Sequence, residues 1–360
     1  MNESIIEVRD LVKHFPLKSG FLKGTTFGYV KAVDGISFSV EPGETFALVG
    51  ESGCGKTTVA NLILKLLEPT SGEILFQGKA LNDASAAESK EYRKSVQAVL
   101  QDPYAALNPR MRIEHIIGEP LEVHGFSKSE RDSRIKEALH AVGLPESSIS
   151  QFPHEFSGGQ RQRIGVARAL TLEPNLIILD EPVSNLDVSI RSQVLNLLKD
   201  IQDERRISYI LISHDLASVE HMSHRMAVMY LGKLVELGDA QEVCEDPGHP
   251  YTASLVAAAT PLGRTPPWQT LIIGEVPSAL SAPSGCPFHP RCPFAMPLCS
   301  QEVPRLQEVA SGRSLACHLY PDHIGSIDKS VPPPVLEQLI STAPPPVENG
   351  SSGSKFLAEA

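Results

Sequence analysis

Gly50-Glu51-Ser52-Gly53-Cys54-Gly55-Lys56-Thr57 is the stretch on which the reading of this chain turns. It follows a short apolar run, Phe46-Ala47-Leu48-Val49, and opens a segment of helical spacing over 57–67. A strand that ends in a Gly-rich turn and feeds a helix offers successive backbone N–H groups to phosphate oxygens. The helix dipole there favours negative charge. The amides around Gly53–Thr58 and the Lys56 ammonium are therefore expected to hold phosphates, within a loop completed by Gly50, Ser52, Cys54 and Gly55. Thr57 supplies a hydroxyl for Mg²⁺, and Thr58 continues the helix. Cys54 reads as a small space-filler with no redox role.

Working downstream, Leu176-Ile177-Ile178-Leu179 lacks any alternation, as a strand buried on both faces does, and it ends in Asp180-Glu181. Asp180, at the carboxyl end of that strand, is placed to hold Mg²⁺ from the side opposite Thr57. Glu181 is placed to orient and polarise an attacking water. A second buried run, Tyr209-Ile210-Leu211-Ile212, reaches Ser213-His214. Between these segments lie Gln101 and Ser157-Gly158-Gly159-Gln160. Taken singly, each has an ordinary explanation: an Asp-Glu pair is a solvated loop, Ser-Gly-Gly a flexible turn, a lone histidine a surface or core residue. Their fixed order after a phosphate loop is what gives them weight.

The 360 residues suffice for one large domain and a smaller one, and 41% hydrophobic with 21% charged residues is ordinary for a globular protein. No apolar run is long enough to span a membrane, and the N-terminus lacks a basic flank with an apolar core, so a cytoplasmic location is expected. A net charge of −11 argues against nucleic-acid binding, which needs a basic face. Six cysteines in such a protein suggest metal or redox chemistry before disulfides.

The N-terminal part reads as strands, with Ile5-Ile6-Glu7-Val8-Arg9 and Ile36-Ser37-Phe38-Ser39-Val40 alternating. Residues 102–156 turn mostly helical, with helices expected over 113–123 and 129–142, which places a helical insertion between strand-rich stretches. A further helix is expected over 190–204. Composition shifts near Asp246-Pro247-Gly248-His249-Pro250, after which the chain is Pro-rich and carries four of the six cysteines. The domains expected are 1–245 for the nucleotide-binding unit (helical part about 102–160), 246–325 for a C-terminal unit, and 326–360 for a flexible Pro/Gly/Ser-rich tail.

Residues 5–240 resemble the ATPase subunit of ABC transporters. That resemblance implies an α/β fold of the P-loop NTPase type, with an antiparallel β subdomain and a helical subdomain, plus a small C-terminal Cys-rich domain. Phe156-Ser157-Gly158-Gly159-Gln160 is similar to the family's signature motif, with Phe where Leu is commonest. In the family two such units pair head to tail, and Ser157 to Gln160 of one would close over ATP held by the other. Gln101 matches the loop that senses the γ-phosphate beside Mg²⁺ and couples to the membrane subunits, and His214 the switch histidine. Ser184-Asn185-Leu186-Asp187 resembles the dimer-contact loop, with Asn185 in place of the usual Ala and Asp187 kept. Phe27 or Tyr29 would stack on adenine.

Val30-Lys31-Ala32-Val33-Asp34-Gly35-Ile36-Ser37-Phe38, the segment from Gln101 to Arg110, and His249-Pro250-Tyr251-Thr252 resemble the oligopeptide/dipeptide importer ATPases, most closely the second of their two ATPase subunits. This implies a sibling ATPase, two permease subunits and an extracytoplasmic solute-binding protein, with the chain on the cytoplasmic face of the membrane. The same subfamily carries nickel, glutathione and other small solutes. A non-transport ATPase of this fold is the competing class, but its usual marks, two ATPase units or a long coiled coil, are missing.

Cys286, Cys292, Cys299 and Cys317 are separated by five, six and seventeen residues. Four thiolates gathered by loops can hold Zn²⁺ or a 4Fe–4S cluster, and unligated thiols are the plain alternative. Resemblance to the cluster-bearing C-terminal part of the peptide-importer ATPases implies the 4Fe–4S cluster, with His289 and His318 close by in sequence.

Overall fold

The computed structural model describes residues 4–19, 25–82, 84–102, 107–259, 275–278, 280 and 282–320, with side chains omitted at 18–19 and 25–27. The expected tail, 326–360, lies outside them. The N-terminal strands are longer than the alternation indicates. β1 (Ile6–Ser19) and β2 (Thr25–Val40) pair antiparallel along almost their whole length, with register shifts along the ladder. β3 (Thr45–Val49) leads to helix α1 (Lys56–Ile63), and β4 (Ser71–Phe76) and β5 (Lys79–Ala80) complete a first sheet of order β2-β1-β4-β5.

Next come α2 (Ala86–Ser95), capped reciprocally by Ser85 and Glu88, and β6 (Val96–Val99). The helical insertion follows as α3 (Ile113–Val123), α4 (Lys128–Ala141) and α5 (Gly158–Leu170). Their inner faces share one core through Ile116, Ile117, Leu121, Ile135, Leu139 and Ile164. Arg161 and Arg163 are structural here: Arg161 Nε donates to the Pro153 carbonyl at 2.7 Å, and Arg163 Nη1 to that of Val142 at 3.1 Å.

β7 (Leu176–Asp180), α6 (Val188–Arg205), β8 (Ser208–Ser213), α7 (Leu216–Met222), β9 (Arg225–Tyr230), β10 (Lys233–Asp239), α8 (Ala240–Glu245) and α9 (Pro250–Ala259) follow. β11 (Gln307–Ala310) and β12 (Arg313–Leu315) close the described part. The second sheet runs β11-β12-β10-β9-β3-β8-β7-β6, parallel from β9 to β6 and antiparallel beyond. β3 and β8 are buried along their whole length and β7 up to its terminal Asp180, which is why their sequences are continuous apolar runs.

The Cys-rich segment is built onto this sheet: β12 pairs with β10, Glu236 opposite Leu315. The anchor is a buried charge. Glu236, fully buried, accepts from the amides of Gly248 and His249 (both 2.9 Å) and from Arg313 Nη2 (2.8 Å). Replacing Arg313 with Met removes the countercharge and leaves the carboxylate on two amides. We expect stability to fall by about 3 kcal/mol, because an uncompensated buried charge costs more than the pair gains. Urea unfolding measures this, and a loss below about 1 kcal/mol would mean the pair does not anchor the segment.

Candidate ATP site

Parallel strands bring their carboxyl ends to one edge of a sheet, where ligands bind in open α/β folds. Val49 stands opposite Ser213, Asp180 opposite Ile212, and Val99 opposite Leu179. The phosphate loop, His214 and Glu181 follow directly on those ends and Gln101 lies two residues beyond Val99, so four separated segments meet at one edge.

The loop is held from within by its own lysine. Lys56, largely buried, donates to the carbonyls of Gly50 (2.6 Å) and Glu51 (2.9 Å), and its ammonium lies 3.6 Å from Cys54 Sγ. Burial pushes the Cys54 thiol up despite Lys56, which fits a packing role. Ser52, Gly53 and Thr57 are exposed on the loop, with Gly55 and Thr58 half-buried.

Glu181 is the centre of the arrangement. Its backbone takes a left-handed φ of 46°, and its amide donates to the Ile212 carbonyl at 2.8 Å. The turn aims its carboxylate between two partners: Gln101 Nε2 donates to Oε2 at 2.6 Å, and His214 Nδ1 lies 2.9 Å from Oε1. Asp180 beside it is raised above the usual carboxylate range by burial and by the Glu181 charge, with Lys56 pulling the other way. Asp180 lies within electrostatic reach of Lys56, the residue before Thr57, and a carboxylate with a hydroxyl is a hard oxygen set that suits Mg²⁺.

Ser157 caps α5: its Oγ accepts from the Gln160 amide (3.3 Å), and Gln160 Oε1 accepts from the Ser157 amide (2.9 Å). This capping box leaves Ser157 exposed at the positive end of the helix, with Gly158 following and Gly159 packed on Ile190 of α6. Asp187 precedes α6 with no side-chain cap bond of its own. Of the two aromatic residues considered for adenine, Tyr29 is 56% exposed on β2, and the Phe27 side chain lies outside the described residues.

The four C-terminal cysteines are free thiols. Cys286 and Cys299 are buried and joined by a backbone bond, Cys286 N to Cys299 O at 2.7 Å. Burial lifts the Cys286 thiol, and lifts those of Cys292 and Cys317 to about 12; each is raised further by its neighbours in the set, so the four lie within electrostatic reach of one another. Among the described residues, no group of three or more His, Cys, Asp or Glu side chains is arranged to hold a single metal ion. His289 Nδ1 and His318 Nε2 each lie 2.9 Å from a backbone carbonyl, those of Cys286 and Glu302.

Sequence reasoning missed two residues that touch the loop. Tyr251 OH accepts from the Glu51 amide at 2.8 Å, and Arg291 grips the Glu51 carboxylate. Tyr251 lies in the His249-Pro250-Tyr251-Thr252 segment, whose resemblance implies no role for it; Arg291 is an isolated arginine between two cysteines, and nothing local marks it.

Comparison with known proteins gives a consistent picture. Residues 33–184 match the ABC transporter family, and residues 235–299 match the oligopeptide/dipeptide transporter C-terminal region. The chain is 48% identical over 323 residues to the oligopeptide transport ATP-binding protein AppF of Bacillus subtilis, covering 88% of this chain and 98% of that protein. It is 47% identical to a probable peptide ABC transporter ATP-binding protein, y4tS, of Sinorhizobium fredii, covering 89% and 91%. Among solved structures, cbiO1 of Clostridium perfringens, part of the ABC transporter complex cbiONQ, superposes with a TM-score of 0.58 at 29% identity, covering 68% of this chain and 92% of that one. A dimeric ATP-binding cassette bound to ADP and Pi superposes with a TM-score of 0.56 at 26% identity, covering 65% and 98%.

Proposed function

The chain belongs to the ATP-binding subunits of ABC transporters, in their oligopeptide/dipeptide branch, and from that premise we propose how it drives peptide uptake. It is the ATPase motor of the importer. The observation that carries the mechanism is the convergence of Gln101 and His214 on the Glu181 carboxylate.

The amides of Gly50, Ser52, Gly53, Cys54, Gly55, Thr57 and Thr58, with the Lys56 ammonium, cradle the phosphates of ATP, and Tyr29 or Phe27 stacks on adenine. Thr57, Asp180 and Gln101 would hold Mg²⁺, which when bound offsets charge on the β- and γ-phosphates. Glu181 accepts a proton from the attacking water, and His214 and Gln101 orient it, moving between its carboxylate and the γ-phosphate. Ser157, Gly158, Gly159 and Gln160 close over nucleotide held by the other ATPase of a head-to-tail pair, and Asp187 lines that contact. Binding then favours the closed pair, because the γ-phosphate bridges both halves, and hydrolysis releases it.

The motion has a physical outlet. A groove of about 330 Å³ between the sheet edge and the helical part is lined by Leu66, Val99, Leu100, Leu107, Pro120 and Ala169, among others, next to Gln101. It suits an apolar permease segment, and in this reading the permeases carry the membrane role; no helix among the described residues is long and apolar enough to cross a membrane. In this reading the chain works at the cytoplasmic face, beside a sibling ATPase, two permeases and a solute-binding protein. We divide the chain into a nucleotide-binding unit over 1–245, a C-terminal unit over 246–325 and a tail over 326–360.

For Cys286, Cys292, Cys299 and Cys317 we propose a 4Fe–4S cluster in preference to Zn²⁺. Four thiols within electrostatic reach of one another, in a segment that begins within the match to the oligopeptide/dipeptide transporter C-terminal region, support this reading. Protein purified without oxygen is expected to contain about four irons per chain and no stoichiometric zinc. Zinc without iron would remove the cluster.

The importer reading is tested by purifying the chain from its native membranes in mild detergent and identifying its companions by mass spectrometry. A sibling ATPase, two permeases and a binding protein are expected. Recovery with soluble factors alone, where other transporters stay intact, would overturn it.

A further inference from the structure

We propose that Arg291 is a positioning residue of the ATP site, acting through Glu51 of the phosphate loop. Arg291 Nη1 donates to Glu51 Oε2 at 2.8 Å and Nη2 to Oε1 at 3.0 Å, a two-bond fork between residues 240 positions apart. The guanidinium is 8% exposed and lies against the rings of Tyr230 and Phe288, 5.8 Å from each centroid. Phe288 and Tyr251 in turn pack on Tyr230, so the fork rests on a buried aromatic cluster.

Glu51 is thereby held at three points. Its amide donates to Tyr251 OH (2.8 Å), its carboxylate takes the Arg291 fork, and its carbonyl accepts from Lys56 (2.9 Å). Two of the three holds come from beyond residue 245, and the third is the lysine that meets the phosphates. The C-terminal segment thus sets the loop's shape, and a planar guanidinium fixes a carboxylate more firmly than a point charge would. Arg291 also sets the loop's charge. A free carboxylate at this position would repel a polyphosphate; paired, it is neutral to first order. ATP affinity therefore depends on a residue that never touches ATP. Arg291 lies between Cys286 and Cys292, so the segment that carries the thiols also carries the fork.

This inference rests on the loop being the ATP site, and the test separates the two. ATP-dependent turnover is measured on the full chain in its assembled transporter, for the parent, Glu51→Gln, Arg291→Met and the double variant. Arg291→Met is expected to raise KM for ATP about tenfold, with kcat at saturation within about twofold, as loss of the buried partner of a partly exposed ion pair does. In the Glu51→Gln background the same change is expected to move KM by less than about threefold, because the carboxylate it leaves unpaired is gone. An equal shift in both backgrounds would show that Arg291 acts by packing and overturn the proposal. So would no shift in an active parent. Where Arg291→Met does not accumulate folded, Arg291→Lys is read in the same cycle. It keeps the charge and loses the fork, and a rise of about threefold, confined to the Glu51 background, is expected. A parent that neither binds nor hydrolyses ATP would instead defeat the reading of the site.

Discussion

Glu181→Gln is expected to bind ATP with near-parental affinity while its turnover falls by about 10²–10⁴-fold, the range a positioned general base contributes. Affinity should survive because the phosphates are held by the loop amides and Lys56. Turnover should fall because an amide cannot take a proton from water. The variant also isolates this function from structure. Gln has the shape of Glu, its carbonyl can still accept from Gln101 Nε2, and the backbone turn at φ 46°, anchored by the bond to Ile212, does not depend on the carboxylate. With hydrolysis blocked, ATP should hold the paired ATPases closed, a state visible as a stable dimer on size-exclusion chromatography. Steady-state hydrolysis near the parental rate would remove Glu181 from its role, whatever the dimer does.

The parts of this site legible in the sequence are those whose function is local. A phosphate loop must be contiguous, because neighbouring amides make the cradle, so Gly50 to Thr57 could be read directly. The buried strands before Asp180 and His214 were readable because a strand covered on both faces leaves an unbroken apolar run. Helix α3 was placed at its observed bounds because its apolar face repeats with helical spacing. What could not be read is what depends on distant pairing. The short strand β6 follows α2 with no turn residue between them, and the hairpin of β9 and β10 turns on Leu231-Gly232, where a single glycine is too weak a signal to mark a hairpin by itself. The hold of Arg291 and Tyr251 on Glu51 joins residues 240 and 200 positions apart, which no spacing rule reaches. The resemblance of the Tyr251 segment to the importer ATPases implies no task for it; the structure gives Tyr251 contact with the loop through the Glu51 amide.

Gly55→Ala is expected to weaken ATP binding by about 100-fold or more, through a methyl group placed where the fold has no room. Gly55 sits at φ +114°, and a Cβ there would lie 2.1 Å from the Ala32 carbonyl oxygen and 2.6 Å from Met229 Cε. The methionine can swing away; the carbonyl belongs to the backbone of β2 and cannot. Nor can the loop retreat freely, since the Gly232 amide donates to the Cys54 carbonyl at 2.9 Å and the Gly55 carbonyl accepts from Val59 at 3.0 Å. Relief must come from shifting the loop against β2, and that carries Lys56 and the first turn of α1 out of register with the phosphates. The backbone conformation adds about 1–3 kcal/mol of strain for a residue with a side chain. Gly53→Ala separates the two causes. Gly53 also has a left-handed φ, +80°, but nothing lies within 4 Å of its Cβ position, so it should show strain alone and lose about tenfold or less in affinity. Titration with a fluorescent ATP analogue reads both variants, and a thermal melt confirms that each remains folded. Equal losses in the two would place the effect in backbone strain; binding by Gly55→Ala within about threefold of the parent would mean that the loop tolerates displacement from β2 and that its close fit is not what holds the phosphates.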